Sequence, residues 1–350
     1  MFLRAFGLIL IALLFSGAAV AQTPTTLTVI AHDSFNYSEE VMAAFTEETG
    51  IAVEVLRLGD AGSLVNQAIL SRENPLGDVL YGVDNTFLSR ALEEDLFTPY
   101  QSPALADVPE AFQLDPEFRV TPVDYGDVCL NYDAAYFAAN DLPLPESLAD
   151  LTDPAYRGLL AVQNPATSSP GLAFLMATIA VFGEDGDTTY LDYWAELVAN
   201  DVYISQDWTD TYYGQFSGSA GSEGDRPLIV SYASSPPAEI FFADPQPETA
   251  PTGAIVTDDT CFRQIEFAGI LAGTQNQAAA EQFMDFLLSV EFQEDMPLQM
   301  FVFPVNTNAA LPDVFTDYAQ IPENPIILDP EVIDAHRESW IQAWTEAVLR

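Results

Sequence analysis

The sequence predicts an α/β protein in which short apolar strands alternate with amphipathic helices. Three observations predict it. Runs such as LTVIA (Leu27–Ala31) and IAVEVLRL (Ile51–Leu58) have the length and β-branched content of buried strands. The segments between them carry apolar residues three and four apart, bounded by capping residues and glycine. The chain has 350 residues, 49% of them hydrophobic, which is ample to bury a core in one large or two ordinary domains.

The elements follow in order. After the Leu27–Ala31 strand, Asn36 or Ser38 caps a helix whose apolar stripe is Val41, Met42, Ala44 and Phe45, and Gly50 ends it. Ile51–Leu58 is the next strand, and Gly62 to Arg72 a helix with Leu64, Val65, Ala68 and Ile69 on one face. Asp78–Asp84 is a strand running into a turn, where Asn85 caps a helix through Phe87, Leu88, Ala91 and Leu92. Val120–Asp133 is extended, and Leu159–Val162 is a strand. Ser169 as N-cap and Pro170 at the first helical position open an apolar helix to Phe182 and Gly183. Leu191–Ala199 is helical; Arg226–Tyr232 and Cys261–Ala272 are strands. Ala278–Val290 is a helix with Phe283, Phe286, Leu287 and Val290 inward. Asp329 and Pro330 start the last helix, with Val332, Ile333, Trp340, Ile341, Trp344 and Val348 at core spacing and His336 on a solvated side. Gln215–Asp225 is a polar loop. With no repeat and no linker, strands passing between two lobes explain the chain better than beads on a string.

Composition excludes several functions. Fifty-three acidic against 10 basic residues give a formal net charge of -43, which repels nucleic acid and anionic lipid. The acidity reads as a surface adaptation, or as attraction for a cationic ligand. All ten basic residues are Arg, so lysine chemistry and a P-loop lysine are absent. His32 and His336 are the only histidines, too few for a multi-histidine zinc site.

The first 21 residues combine Arg4, an apolar stretch from Phe6 to Phe15 and the small-x-small site Ala19-Val20-Ala21. They read as an export leader cleaved after Ala21, which predicts a soluble periplasmic protein. An exported pair of cysteines, Cys129 and Cys261, points to one disulfide, with two separate buried thiols as the alternative.

Several blocks carry more specific information: HDSF (His32–Phe35), GDVLYGVDN (Gly77–Asn85), VDYGDVCLNYD (Val123–Asp133), LTDPAYRGLLAVQNPATSSPG (Leu151–Gly171), DWTDTYYGQF (Asp207–Phe216), LIVSYASSP (Leu228–Pro236), FLLSVEFQ (Phe286–Gln293) and FVFPVN (Phe301–Asn306). In this order they closely resemble the extracytoplasmic substrate-binding proteins of ABC importers, over nearly the whole mature chain. Within that family the VDYGD, DWTDTYYG and SYASSP blocks are most similar to its thiamine-binding members. The DPAYRG…NP…TSSPG block marks the broader family, which includes iron and polyamine binders.

The resemblance implies a two-lobed clamshell of the type II periplasmic-binding-protein kind, with two hinge-crossing strands near Val120–Tyr125 and Gln264–Gly269. Lobe 1 is expected at 22–122 plus 264–305 and lobe 2 at 123–263, with 306–350 a helical segment packing on both. Cys129 and Cys261 then fall close to the crossings, where a disulfide would pin the hinge side of lobe 2. The implied ligand is thiamine or a thiamine phosphate, delivered to a permease with a cytoplasmic ATPase by a monomeric protein that binds no nucleic acid, uses no cofactor or resident metal, and catalyses nothing.

By position, Asp60, with Ala61 beside it, corresponds to a carboxylate facing the ligand's cation, and Trp208 and Tyr232 to its ring contacts. Ser168 and Ser169 correspond to polar contacts at a helix start, suited to a hydroxyl or phosphate. Ala233, Ser234 and Ser235 complete a polar wall. The chain departs from the family pattern at His32, where a Tyr is common, at Phe301, where a Trp is expected, and near Ala238, where a second Tyr is missing. Read without the family, Asp60 is a turn residue, Ser169 an N-cap, Trp208 a packed aromatic and Tyr232 a sheet-end aromatic. Two rivals remain open. Tyr212, Tyr213, His32 and a carboxylate suit a ferric site. Ser168 as the nucleophile of a secreted hydrolase lacks a G-x-S-x-G elbow.

Overall fold

A computed structural model describes residues 25–350; the predicted leader at 1–21 and its cleavage site lie outside the described residues. The first half of the chain supplies β1 (Thr25–Ala31), α1 (Glu39–Thr49), β2 (Ile51–Arg57), α2 (Ala61–Leu70), β3 (Val79–Asp84), α3 (Leu88–Glu93), β4 (Phe97–Thr98), β5 (Thr121–Asp133), α4 (Ala134–Ala139) and β6 (Leu160–Gln163). The remainder supplies α5 (Ser169–Phe182), α6 (Tyr190–Ala199), β7 (Tyr203–Ser205), β8 (Leu228–Tyr232), α7 (Pro236–Phe241), β9 (Thr252–Ile255), β10 (Phe262–Leu271), α8 (Gln277–Leu287), α9 (Val290–Gln299), β11 (Phe303–Pro304), α10 (Asp313–Tyr318) and α11 (Pro330–Val348).

The main path of the sheet runs β2-β1-β3-β10-β5-β8-β6-β7. At one end β1 is parallel to both β2 and β3, and at the other β6 is parallel to both β7 and β8. These are two helix-covered α/β halves, as strand–helix alternation requires. The long strands β5 and β10 join them. They pair antiparallel from Phe262↔Val128 to Ala268↔Thr121. β10 then continues against β3 and β5 against β8. The sheet therefore changes character at one seam, and both connecting strands pass through it.

The core follows the same plan. One apolar cluster runs from Leu64, Leu80 and Phe87 through Val128 and Phe267 to Leu172, Trp194 and Trp344. A second, with Val29, Phe45, Phe283 and Phe292, fills the other face of the β1–β3 half. Cys129 and Cys261 are bridged, with a Cα–Cα distance of 4.3 Å across 132 residues of chain. The bridge links β5 to the residue that precedes β10, next to the seam.

Several elements differ from their sequence reading, each for a local reason. Ser38, not Asn36, caps α1 by accepting from the Val41 amide. Asn85 caps nothing; its side chain donates to the Arg263 carbonyl and accepts from the Ile265 amide, tying the turn after β3 to β10. The helix expected over 278–290 ends at Leu287, and Ser289 caps a new helix, leaving Val290 40% exposed rather than inward. On α11, Ile333, Trp340 and Trp344 are buried as expected, but Val332 is exposed and Arg337 takes a core position. The end of α11 packs Trp344 edge-on against Trp194 of α6, while Arg337 lies 5.8 Å from the Phe87 ring at the start of α3. The last helix thus touches both halves. His336 is exposed and stacks on Trp340.

Candidate ligand-binding cleft

A cleft of about 330 Å³ opens between the two halves, over the seam. Its size is at the lower end for small-molecule sites, which run about 300–1,000 Å³. Residues from both halves converge on it. His32, Asp33, Ser34 and Asn36 follow β1, Asp60 and Ala61 open α2, and Ser169 and Pro170 open α5. Asp124, Gly126, Gln264 and Glu266 come from the crossing strands themselves. Trp208, Thr209, Tyr212 and Tyr213 come from the turn and π-helix after β7, Tyr232, Ser235, Ala238 and Phe242 from β8, α7 and the residues flanking α7, and Gln299 to Val302 from the end of α9.

The floor is acidic and buried. Glu266 and Asp124 are direct register partners across β10 and β5, so two carboxylates face each other on one side of the seam. Both are buried, as are His32 and Asp84. The Tyr81 hydroxyl donates to Asp124 Oδ2 at 2.6 Å, and His32 Nε2 lies 3.2 Å from Glu266 Oε2. Asp84 accepts from the Thr86 amide at 2.7 Å and from the Ser169 hydroxyl. Asp60 caps α2 by accepting from the Ala61 amide at 2.8 Å, and its second oxygen accepts from the Trp208 amide at 3.2 Å. A single side chain therefore ties the first α/β half to the second.

Burial sets the charge state of this floor. It pushes the Glu266 carboxyl up to about 8, with the Asp84 and Asp60 charges adding to the effect. Burial and then the Glu266 charge hold Asp124 well above the ordinary carboxylate range. Asp60 and Asp84 are raised by burial too, against the donors that hold their charged forms. Burial lowers His32 more than the surrounding carboxylates raise it, so the imidazole is held toward its neutral form. The cleft has no Lys or Arg among its lining residues. Its floor is a group of buried carboxylates, each raised by desolvation.

The opposite wall is aromatic. Trp208 stacks on Tyr212, with centroids 4.8 Å apart, and meets Tyr213 edge-on at 5.6 Å. The indole N–H donates to the Ser231 hydroxyl at 3.0 Å, which fixes the ring plane. The Tyr232 ring lies over β5, and only glycine fits beneath it. A Cβ on Gly126 would come within 2.8 Å of that ring. Gly82 (φ +107°) serves His32 in the same way, since a Cβ there would lie 2.1 Å from the imidazole.

Of the residues singled out in the sequence, His32, Asp60, Ala61, Ser169, Trp208, Tyr232, Ser235 and Phe301 all line the cleft. Ser168, Ala233 and Ser234 are not among its lining residues. Ser168 is the residue that precedes α5, and Ser169 is already helical. The chain therefore turns Ser168 inward to full burial, while Ser169 faces the cleft. Ala233 packs against the disulfide, and Ser234 is fully buried one residue on. Sequence reasoning missed Asp124, Gln264 and Glu266, because a carboxylate or amide inside an apolar strand carries no local sign of what it will face. It also missed Phe242.

Two α/β halves joined by a pair of crossing strands, with a polar–aromatic cleft over the crossing, define a two-lobed periplasmic binding protein of type II. Comparison with known proteins agrees. The model of the family described as bacterial extracellular solute-binding protein matches residues 74–322. The chain belongs to that family. The thiamine-binding periplasmic protein of Escherichia coli K12 is 29% identical over 346 residues, covering 97% of this chain and 98% of its own. A solved structure titled periplasmic thiamin binding protein superposes with a TM-score of 0.80 at 27% identity, over 93% of this chain and 96% of that one. Iron-bound HitA from Pseudomonas aeruginosa superposes at 0.71 with 21% identity, over 92% of this chain and 99% of that one, a likeness of fold.

Proposed function

We propose that this protein captures thiamine outside the cytoplasmic membrane and presents it to an ABC importer, without chemistry of its own. The observation that carries the reading is the pairing of a carboxylate-rich floor with an aromatic wall. Thiamine is a flat, permanently cationic heteroaromatic. Its thiazolium suits the carboxylates, with Asp60 as the counter-charge, and its rings suit Trp208 and Tyr232. Ser169 and Ser235, with His32 and Ala61, complete the surround, and Phe301 closes it. The relatives named as thiamine-binding support the ligand.

In this reading the moving bodies are lobe 1 (22–122 plus 264–305) and lobe 2 (123–263), with 306–350 packed on both. Ligand affinity comes from differential binding to the closed form, which docks on the permease. The mature chain starts after Ala21 and acts as a monomer in the periplasm.

The ferric alternative draws on Tyr212 and Tyr213, both of which line the cleft. Burial and then the Glu239 carboxylate raise both phenols. A calorimetric titration of metal-stripped, refolded protein tests the assignment. Saturable binding of thiamine at micromolar or lower concentration is expected. Silence toward thiamine, with a tyrosinate–iron absorption band on adding ferric citrate, would replace this reading with the ferric one. The same titration with thiamine monophosphate and pyrophosphate measures how far the cleft accepts a phosphorylated arm.

A further inference from the structure

Among the described residues, the only Phe, Tyr or Trp side chains left exposed are Tyr213, Phe241 and Phe242. All three gather at this cleft. Tyr213 and Phe242 line it, and Phe241 packs on Phe242 with centroids 5.1 Å apart. Phe242 is the barest, at 67% exposure. Its ring meets Phe301 edge-on at 5.6 Å. The two rings arrive from different halves, Phe242 from α7 behind β8 and Phe301 from the end of α9. Exposed apolar surface concentrated at the mouth of a cleft marks a surface that a partner or ligand covers.

Two backbone facts agree. Ala238 and Phe242 are one helical turn apart and both line the cleft, so Phe242 supplies an aromatic face where Ala238 offers only a methyl group. Phe301 holds a left-handed backbone (φ 56°), unusual for a bulky residue, and such strain persists where the surroundings fix a side chain's direction. Here it turns the ring toward the mouth.

We propose that Phe242 is a ligand-contacting residue, forming with Phe301 an aromatic jaw that closes over the outermost ring of the bound ligand and sets its rate of escape. The inference rests on the thiamine reading and adds to it a residue and a kinetic role. Stopped-flow measurement of thiamine association and displacement on the full mature protein, for wild type, Phe242→Ala, Phe242→Leu and Phe242→Tyr, tests it. Phe242→Ala is expected to raise koff roughly three- to tenfold with kon within about twofold, the scale of a lost aromatic pairing. Phe242→Tyr should restore the wild-type rate and Phe242→Leu only part of it, because a flat face is needed rather than apolar volume alone. Melting temperature should not move, since the side chain is largely bare. Unchanged koff in Phe242→Ala, or full rescue by Phe242→Leu, would overturn the jaw while leaving thiamine binding intact. A wild-type protein that does not bind thiamine would instead overturn the reading beneath it.

Discussion

The two sides of the cleft are built on opposite principles. The side formed by the first α/β half and the crossing strands offers carboxylates, Asp60, Asp124 and Glu266, with the His32 imidazole among them. The side formed by the second half offers neutral faces and hydroxyls: Trp208, Tyr212, Tyr232 and Ser235. The charged side is held in place by burial and direct hydrogen bonds, at a cost in desolvation that a proton or a bound cation offsets. The aromatic side is held by stacking and by the Trp208–Ser231 hydrogen bond, and it carries no formal charge to desolvate. A ligand that satisfies both is cationic and flat.

Breaking the charged side should have the largest effect. Asp60→Asn removes the counter-charge and alters the contact that joins Asp60 to the Trp208 amide. Removing one member of a buried charge pair costs about 2–5 kcal/mol, so thiamine affinity should fall about 30-fold or more by calorimetry. A smaller loss would mean that Glu266 and Asp124 carry the cation instead.

Breaking the aromatic side should cost less. Trp208→Ala is expected to weaken binding roughly tenfold, the worth of a cation–π face of about 1–2 kcal/mol. Unchanged affinity would remove Trp208 from the ligand contacts and leave it a packing residue.

Titration distinguishes the two sides without mutation. Glu266 titrates at about 8 in the folded protein, so near pH 6 it holds a proton that a cation must displace. Thiamine affinity should rise several-fold from pH 6 to pH 8 and then level off, with protons released on binding at the lower pH. Calorimetry in buffers of different ionisation enthalpy counts those protons. The sign for folding is the reverse. A carboxyl raised in the native state contributes stability that is fully present below its unfolded value and lost as pH rises through about 8, so this group makes the ligand-free protein less stable at pH 8 than at pH 5. Flat affinity across this range would show that Glu266 is not coupled to the ligand.

The smallest effect on binding is expected away from both sides. Arg337 is 2% exposed on α11, and its Nε and Nη1 have no hydrogen-bond partner among the described residues. Arg337→Leu should leave thiamine affinity unchanged and raise stability by about 1 kcal/mol or more, read as a higher melting temperature, because a buried charge without a partner is costly. A fall in melting temperature would mean that the cation over Phe87 is worth more than its desolvation.

Much of this molecule was legible from residue order. Leu27–Ala31 and Ile51–Leu58 announce strands through β-branched runs, and Ser169-Pro170 announces α5 through capping chemistry. Asp60, Ser169, Trp208 and Tyr232 stand in recognisable blocks near element ends, where loops converge and sites form. The helix expected over 278–290 failed at one residue, because Ser289 can cap a new turn as readily as lie within an old one. Asn85 looked like a cap and instead bonds to β10, a partner 180 residues away.

What the sequence determined by itself was local: the period of each element, the absence of lysine, the spare cysteine pair and the aromatic and carboxylate residues at element ends. Only the tertiary structure decided the floor of the cleft. Asp124 and Glu266 face each other because β5 and β10 pair antiparallel in one register. A shift of one residue would turn one of these side chains to the opposite face of the sheet. Their raised pKa values follow from that register and from the burial it imposes, since a carboxylate's proton affinity depends on its surroundings and not on its neighbours in the chain.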